Sequence, residues 1–306
     1  ASEFRPVDDF YRDWALSEFG PEAAEEAAAL FAKIDCRLPR PSDWIGGPGG
    51  YQPDKRSWNE VSKEYAFVDE LAALRSRISG KGNAERFDYW LSNFQFLRAM
   101  GKVRCIWAEF DVAMEKAKAG DTPENKKRVA RETALPLRKT LIAAVSEAYC
   151  RLLATVNTAG EMGSVTNLEQ HTLPGLVEKP GAELSSMLGE ALPPDAELPR
   201  EYTGRARVFV SSVRNSVQTG EPLSVNLVVL GEETPRRVSL RWRTMGEGGF
   251  REVPMRHVAR GIYAATVESL DKDVEYYCEA EVGRHRLVWP AMAPNLNQTV
   301  IVGLPN

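Results

Sequence analysis

The spacing of apolar residues changes once along this chain, from every third or fourth position to every second. This switch, near residue 200, constrains the fold more than any other feature. Asp8-Asp9 opens a segment with Phe10, Trp14, Leu16 and Phe19 broadly on one side, closed by Gly20, and Pro21 starts a second helix through Ala32. Trp58, Val61, Tyr65, Val68, Leu71 and Leu74 form the next stripe, stopped by Gly80-Lys81-Gly82, with Asn83 as the expected cap of the next helix. Residues 84–119 carry a long apolar stripe and read as the central helix of a bundle; the last helix, about 123–155, contains Pro136, which should kink or split it.

Residues 158–200 hold ten glycines and prolines, Pro193-Pro194 among them, and read as an irregular connector. Beyond it, segments 205–211, 223–230, 236–243, 261–267, 274–282 and 298–302 alternate or run β-branched, with turn residues between them. The sequence thus predicts a multidomain α and β chain. An antiparallel helical bundle spans 5–157, the connector 158–200, and an immunoglobulin- or fibronectin-like β-sandwich 201–306.

Composition narrows the function. At 306 residues, 43% hydrophobic and 27% charged, the chain is long enough to bury a core without disulfide staples. Thirty-nine basic residues against 43 acidic ones give a net charge of -4, so no basic field invites nucleic acid. No apolar run approaches the ~20 residues of a membrane span. Cys36, Cys105, Cys150 and Cys278 form no CxxC pair, and neither a metal site nor a cofactor is expected.

Two segments carry binding chemistry. In 39–54, prolines and glycines surround Asp43, Trp44 and Tyr51 in a shaped loop. A pyranose offers a C–H face to an aromatic ring and hydroxyls to carboxylates, so these residue types suit a sugar; the same loop could instead be pinned to the bundle by Trp44 and Trp58. The glycines lack the order of a phosphate cradle. In 157–171, Glu161, Asn167, Gln170 and His171 could rim a polar pocket, and Glu161 with Glu169 could form an acid/base pair if held about 5–9.5 Å apart. Alternatively Asn157 and Asn167 cap helix ends and His171 is a surface residue. No GxSxG elbow accompanies His171, His257 or His285; the last two fit solvated strand edges, and Trp242 fits a sandwich core. No catalytic residue or metal ligand is assigned.

Tyr11-Arg12-Asp13-Trp14-Ala15, Phe19-Gly20-Pro21-Glu22, Leu38-Pro39-Arg40-Pro41-Ser42-Asp43-Trp44 and Gly47-Pro48-Gly49-Gly50 resemble the region that follows the catalytic barrel in large secreted bacterial glycoside hydrolases. Gly261-Ile262-Tyr263, residues 274–280 and Trp289-Pro290 resemble their closing immunoglobulin-like domains, and the layout is similar to the α-glucuronidases of family 115. The resemblance implies an accessory C-terminal part of a polysaccharide-degrading enzyme, secreted or periplasmic. Its partners would be a polysaccharide or oligosaccharide and the barrel of the parent chain. No run of βα units is present to supply strand ends bearing catalytic carboxylates. Asp43, Trp44, Tyr51, Glu161, Asn167, Gln170 and His171 would contact sugar. The rival expectations are a structural or protein-interaction module without sugar binding, and a complete small glycosidase using Glu161 and Glu169.

Overall fold

The computed structural model describes residues 6–40, 42–43 (backbone only) and 50–303, and the chain separates into two compact units. The first contains residues up to 155 together with 164–200; the second contains 156–163 and everything from 201 onward.

In the first unit, α1 (Val7–Phe19) ends at Gly20, whose φ of 85° suits glycine and whose N–H reaches the Leu16 carbonyl. It pairs with α2 (Ala24–Ile34). Trp14, Phe19, Phe31, Phe87, Trp90 and Phe94 meet mostly edge to face at 4.6–6.0 Å, the geometry that ring quadrupoles favour. A two-residue hairpin comes next, β1 (Ser42–Asp43) against β2 (Gly50–Tyr51). After it stand α3 (Trp58–Val61), begun by a Ser57/Glu60 capping box, and α4 (Ala66–Leu74).

Helix α5 (Lys81–Lys118) runs 38 residues. Asn83 does not cap it: Gly80 does, and the Asn83 side-chain oxygen accepts from Arg86 Nη2 at 2.7 Å inside the first turn. The chain reverses at Thr122, which accepts from Asn125 N with Pro123 in the first turn, and α6 (Pro123–Val129) begins. A π-helical turn over Ala130–Ala134 leads into α7 (Leu135–Thr155), which packs antiparallel along α5. The helical run thus passes from α-helix through a π-turn and back to α-helix just before Pro136, which sits in the first turn of α7. A first-turn position is where a proline's missing N–H costs least.

The segment 158–200 differs most from expectation. It is helical from 159 to 188, through α8 (Ala159–Asn167), π-turns at Leu168–Thr172 and Pro174–Glu178, and α9 (Lys179–Leu188). Val165, Leu168, Leu173, Leu176, Val177, Leu184 and Leu188 are buried along it, and this packing overrides the breakers. Buried Arg138 of α7 supplies donors to the carbonyls of Val177 (2.8 Å) and Ala196 (3.0 Å).

The second unit is built from β3 (Arg207–Val210), β4 (Ser216–Gln218), β5 (Leu223–Leu230), β6 (Arg237–Thr244), β7 (Arg251–Pro254), β8 (Arg256–Ala259), β9 (Ile262–Val267), β10 (Val274–Val282), β11 (His285–Trp289) and β12 (Gln298–Gly303). One sheet has the order β4-β12-β10-β6-β7, with β11 beside the far half of β10; the other is β3-β5-β9-β8. Among the described residues, all pairings are antiparallel except β12 with β4. The chain changes sheet at buried Met255, between β7 and β8. Alternate residues of both sheets, including Leu227, Leu240, Tyr276, Cys278 and Val300, enclose one core. Trp242 and Trp289 pack against its margin, and the Arg251 guanidinium lies 4.9 Å over the Trp242 ring.

Candidate functional site

The β1–β2 hairpin sets Asp43 opposite Gly50 and Ser42 opposite Tyr51. Its outgoing arm is fastened to α5: Asp54 N donates to the Arg104 carbonyl at 3.0 Å, and Arg104 Nε donates to the Gln52 carbonyl at 2.5 Å. β2 then lies beside the π-turn Leu168–Thr172, with Cα atoms within 8 Å. Two segments far apart in sequence thus approach each other within the first unit: β2 with Tyr51, and the turn with Gln170 and His171. Tyr51 is half-buried, and burial pushes its phenol pKa up; Gln170 and His171 are exposed. Asn167, half-buried, directly precedes the turn inside a continuing helix and caps no helix end. Trp44 lies outside the described residues, as do the glycines beside it.

The two glutamates have structural partners. Glu161 Oε2 accepts from Asn157 N (2.7 Å), Thr158 N (2.9 Å) and Thr158 Oγ1 (3.1 Å), while Glu161 N donates to Thr158 Oγ1 (3.2 Å). This is a capping box at the start of α8, and Thr158, not Asn157, is the cap. Asn157 instead accepts from Arg207 Nη2 at 2.5 Å. Glu161 belongs to the second unit. Glu169 Oε1 accepts from Tyr149 Oη at 2.5 Å.

A second concavity was not visible in the sequence. Between α5 and α7, Trp58, Gln95, Arg98, Ala99, Lys102, Glu147 and Arg151 line a cleft of about 200 Å³. Residues 95, 98, 99 and 102 keep helical spacing on α5, and 147 and 151 sit one turn apart on α7, so the antiparallel pairing brings two polar stripes face to face. The signal was present as a break in each apolar stripe, but only the pairing register joins the two. Among the described residues, no group of three His, Cys, Asp or Glu side chains is placed to hold a metal, and no helix is long and apolar enough to cross a membrane.

No protein-family profile and no curated protein matches the chain. Among solved structures it is similar to an endo-beta-1,4-mannanase from Thermotoga petrophila, with 10% identity over 97% of this chain and 74% of that one and a TM-score of 0.26. It is also similar to the twitchin kinase region from C. elegans, with 14% identity over 89% of this chain and 45% of that one and a TM-score of 0.24. Likeness at this level carries no argument about fold or activity.

Proposed function

We propose that the chain is the accessory C-terminal part of a polysaccharide-degrading glycoside hydrolase. In this reading it supports a catalytic barrel in a secreted or periplasmic parent protein and contributes carbohydrate contacts, and its two-sheet unit is immunoglobulin-like. The observation that supports the reading is the approach of β2, which carries Tyr51, to the π-turn Leu168–Thr172, which carries the exposed Gln170 and His171. Tyr51 stacks on the C–H face of a sugar ring while Gln170 and His171 hydrogen-bond its hydroxyls. Such contacts are individually weak and sum over a polymer. π-turns concentrate at functional positions, which agrees with a binding role for this one.

The capping box on Glu161 and the Tyr149 bond to Glu169 favour this reading over a complete glycosidase, because an acid/base pair must face one glycosidic bond across a short gap. The test is affinity electrophoresis of the whole chain through gels containing a panel of plant and algal polysaccharides, with reducing sugar assayed in parallel. Retardation lost in both Tyr51→Ala and Gln170→Ala/His171→Ala, with no sugar released, is expected. Release of sugar, or retardation that neither variant changes, contradicts it.

A further inference from the structure

Three cations and one carboxylate line the cleft between α5 and α7, and their pairing leaves the balance positive. Arg98 Nη1 reaches Asp69 at 2.6 Å, but Asp69 lies outside the lining and is largely exposed. Lys102 Nζ stands 3.7 Å from Glu147, a loose contact. Arg151 Nη1 donates to the amide oxygen of Gln95 at 2.7 Å, so its charge is solvated by a neutral group. The arginines and Lys102 are half-buried, where a charge interacts more strongly than in open water. Trp58 supplies one flat apolar wall, fixed by Tyr65, whose ring centre is 6.2 Å from its own, and Ala99 gives a small buried floor.

These surroundings define a ligand by chemistry and size. Guanidinium groups match an oxyanion with paired N–H donors, Lys102 adds a point charge, and the Trp58 face suits the flat side of a ring. A volume of about 200 Å³ accommodates one ring and its substituent, not a chain. We infer that this cleft is a second binding site, taking a single ring that bears an oxyanion, of the size of one acidic sugar unit. The anion requirement stands on the cleft alone; the sugar as the source of the ring rests on the accessory-module reading.

The experiment is calorimetric titration of the whole chain with galacturonic acid, galactose, sodium benzoate and sodium sulfate. Galacturonic acid and galactose differ by a carboxylate in place of a hydroxymethyl group, so their comparison isolates the anion. Galacturonic acid is expected to bind at least about tenfold more tightly than galactose. Arg151→Gln and Arg98→Gln should each abolish that preference while leaving the thermal midpoint unchanged, and the double variant Gln170→Ala/His171→Ala should retain it. Equal binding of the two sugars, or a preference surviving both arginine variants, overturns the site. Sulfate alone matching galacturonic acid overturns the ring requirement. Benzoate binding in place of galacturonic acid would keep the anion site and reject the sugar as its source, separating this proposal from the failure of the accessory-module reading.

Discussion

Arg138 is 2% exposed and its guanidinium is directed at backbone carbonyls, those of Val177 and Ala196, with no carboxylate hydrogen-bonded to it among the described residues. Burial lowers its pKa to about 10, which still leaves it charged at neutral pH. The residue closes the helical run 174–188 and the 194–196 turn onto α7. Arg138→Met keeps the volume but orphans two buried acceptors, so it should destabilise the first unit by about 2–4 kcal/mol, read as a lower denaturation midpoint. Glycines divide in the same way by their surroundings. A Cβ on Gly101 would stand 2.6–2.8 Å from the ring atoms and hydroxyl of buried Tyr65, whereas one on Gly163 meets nothing within 4 Å. Alanine at a helical glycine ordinarily stabilises by up to about 1 kcal/mol; Gly163→Ala should do so, while Gly101→Ala should cost about 1–3 kcal/mol through overpacking. Thermal unfolding of the two variants would check the opposite signs.

Strands β6, β10 and β11 share an outer face that supplies a pH prediction. Glu279 is buried, which alone would raise its pKa, but Arg286 (2.6 Å) and Arg241 (2.9 Å) outweigh that and hold it below the usual carboxylate range. Glu275 is lowered by Asn297 and Arg243. Depressed folded-state pKa values contribute stability that is present above the unfolded value of about 4.3 and is lost as pH falls through the folded values. The second unit should therefore weaken below about pH 4, and Glu279→Gln should flatten that dependence while costing about 1.5 kcal/mol at pH 7. Urea midpoints between pH 2.5 and 7 would check both. Elements with a clear period or a sustained apolar run were legible in the sequence: the stripes of α1 and α4, the long apolar α5, the alternation of β5, and the β-rich runs of β6, β9 and β10, of which β10 is buried along nearly its whole length. Those that were not legible share a cause. The run 159–188 looked broken because Pro174, Pro180 and four glycines stand in it, and sequence does not reveal that π-turns and a distant arginine will satisfy the disturbed carbonyls. β7 and β8 are short, charged strands at sheet borders, where little burial imposes a pattern. Of the candidate site, residue type was legible in Tyr51, Gln170 and His171, but their neighbourhood depended on the unseen turn. Glu161 has a capping role that the Thr-x-x-Glu spacing from Thr158 signals in the sequence, beside which a pocket glutamate looks alike.

The whole molecule joins a helical unit and a two-sheet unit, each with its own apolar core, and the proposed carbohydrate contact falls on the first. The accessory-module reading depends on where a glycan touches the chain. Hydrogen–deuterium exchange of the whole chain, with and without an oligosaccharide prepared from the polysaccharide that retards it most, would locate that contact. Slowed exchange at residues 50–53 and 167–172, with unchanged exchange throughout 207–303, is the expected result. Protection confined to the strands of the second unit, or no protection at residues 50–53 and 167–172 under saturating ligand, would contradict it.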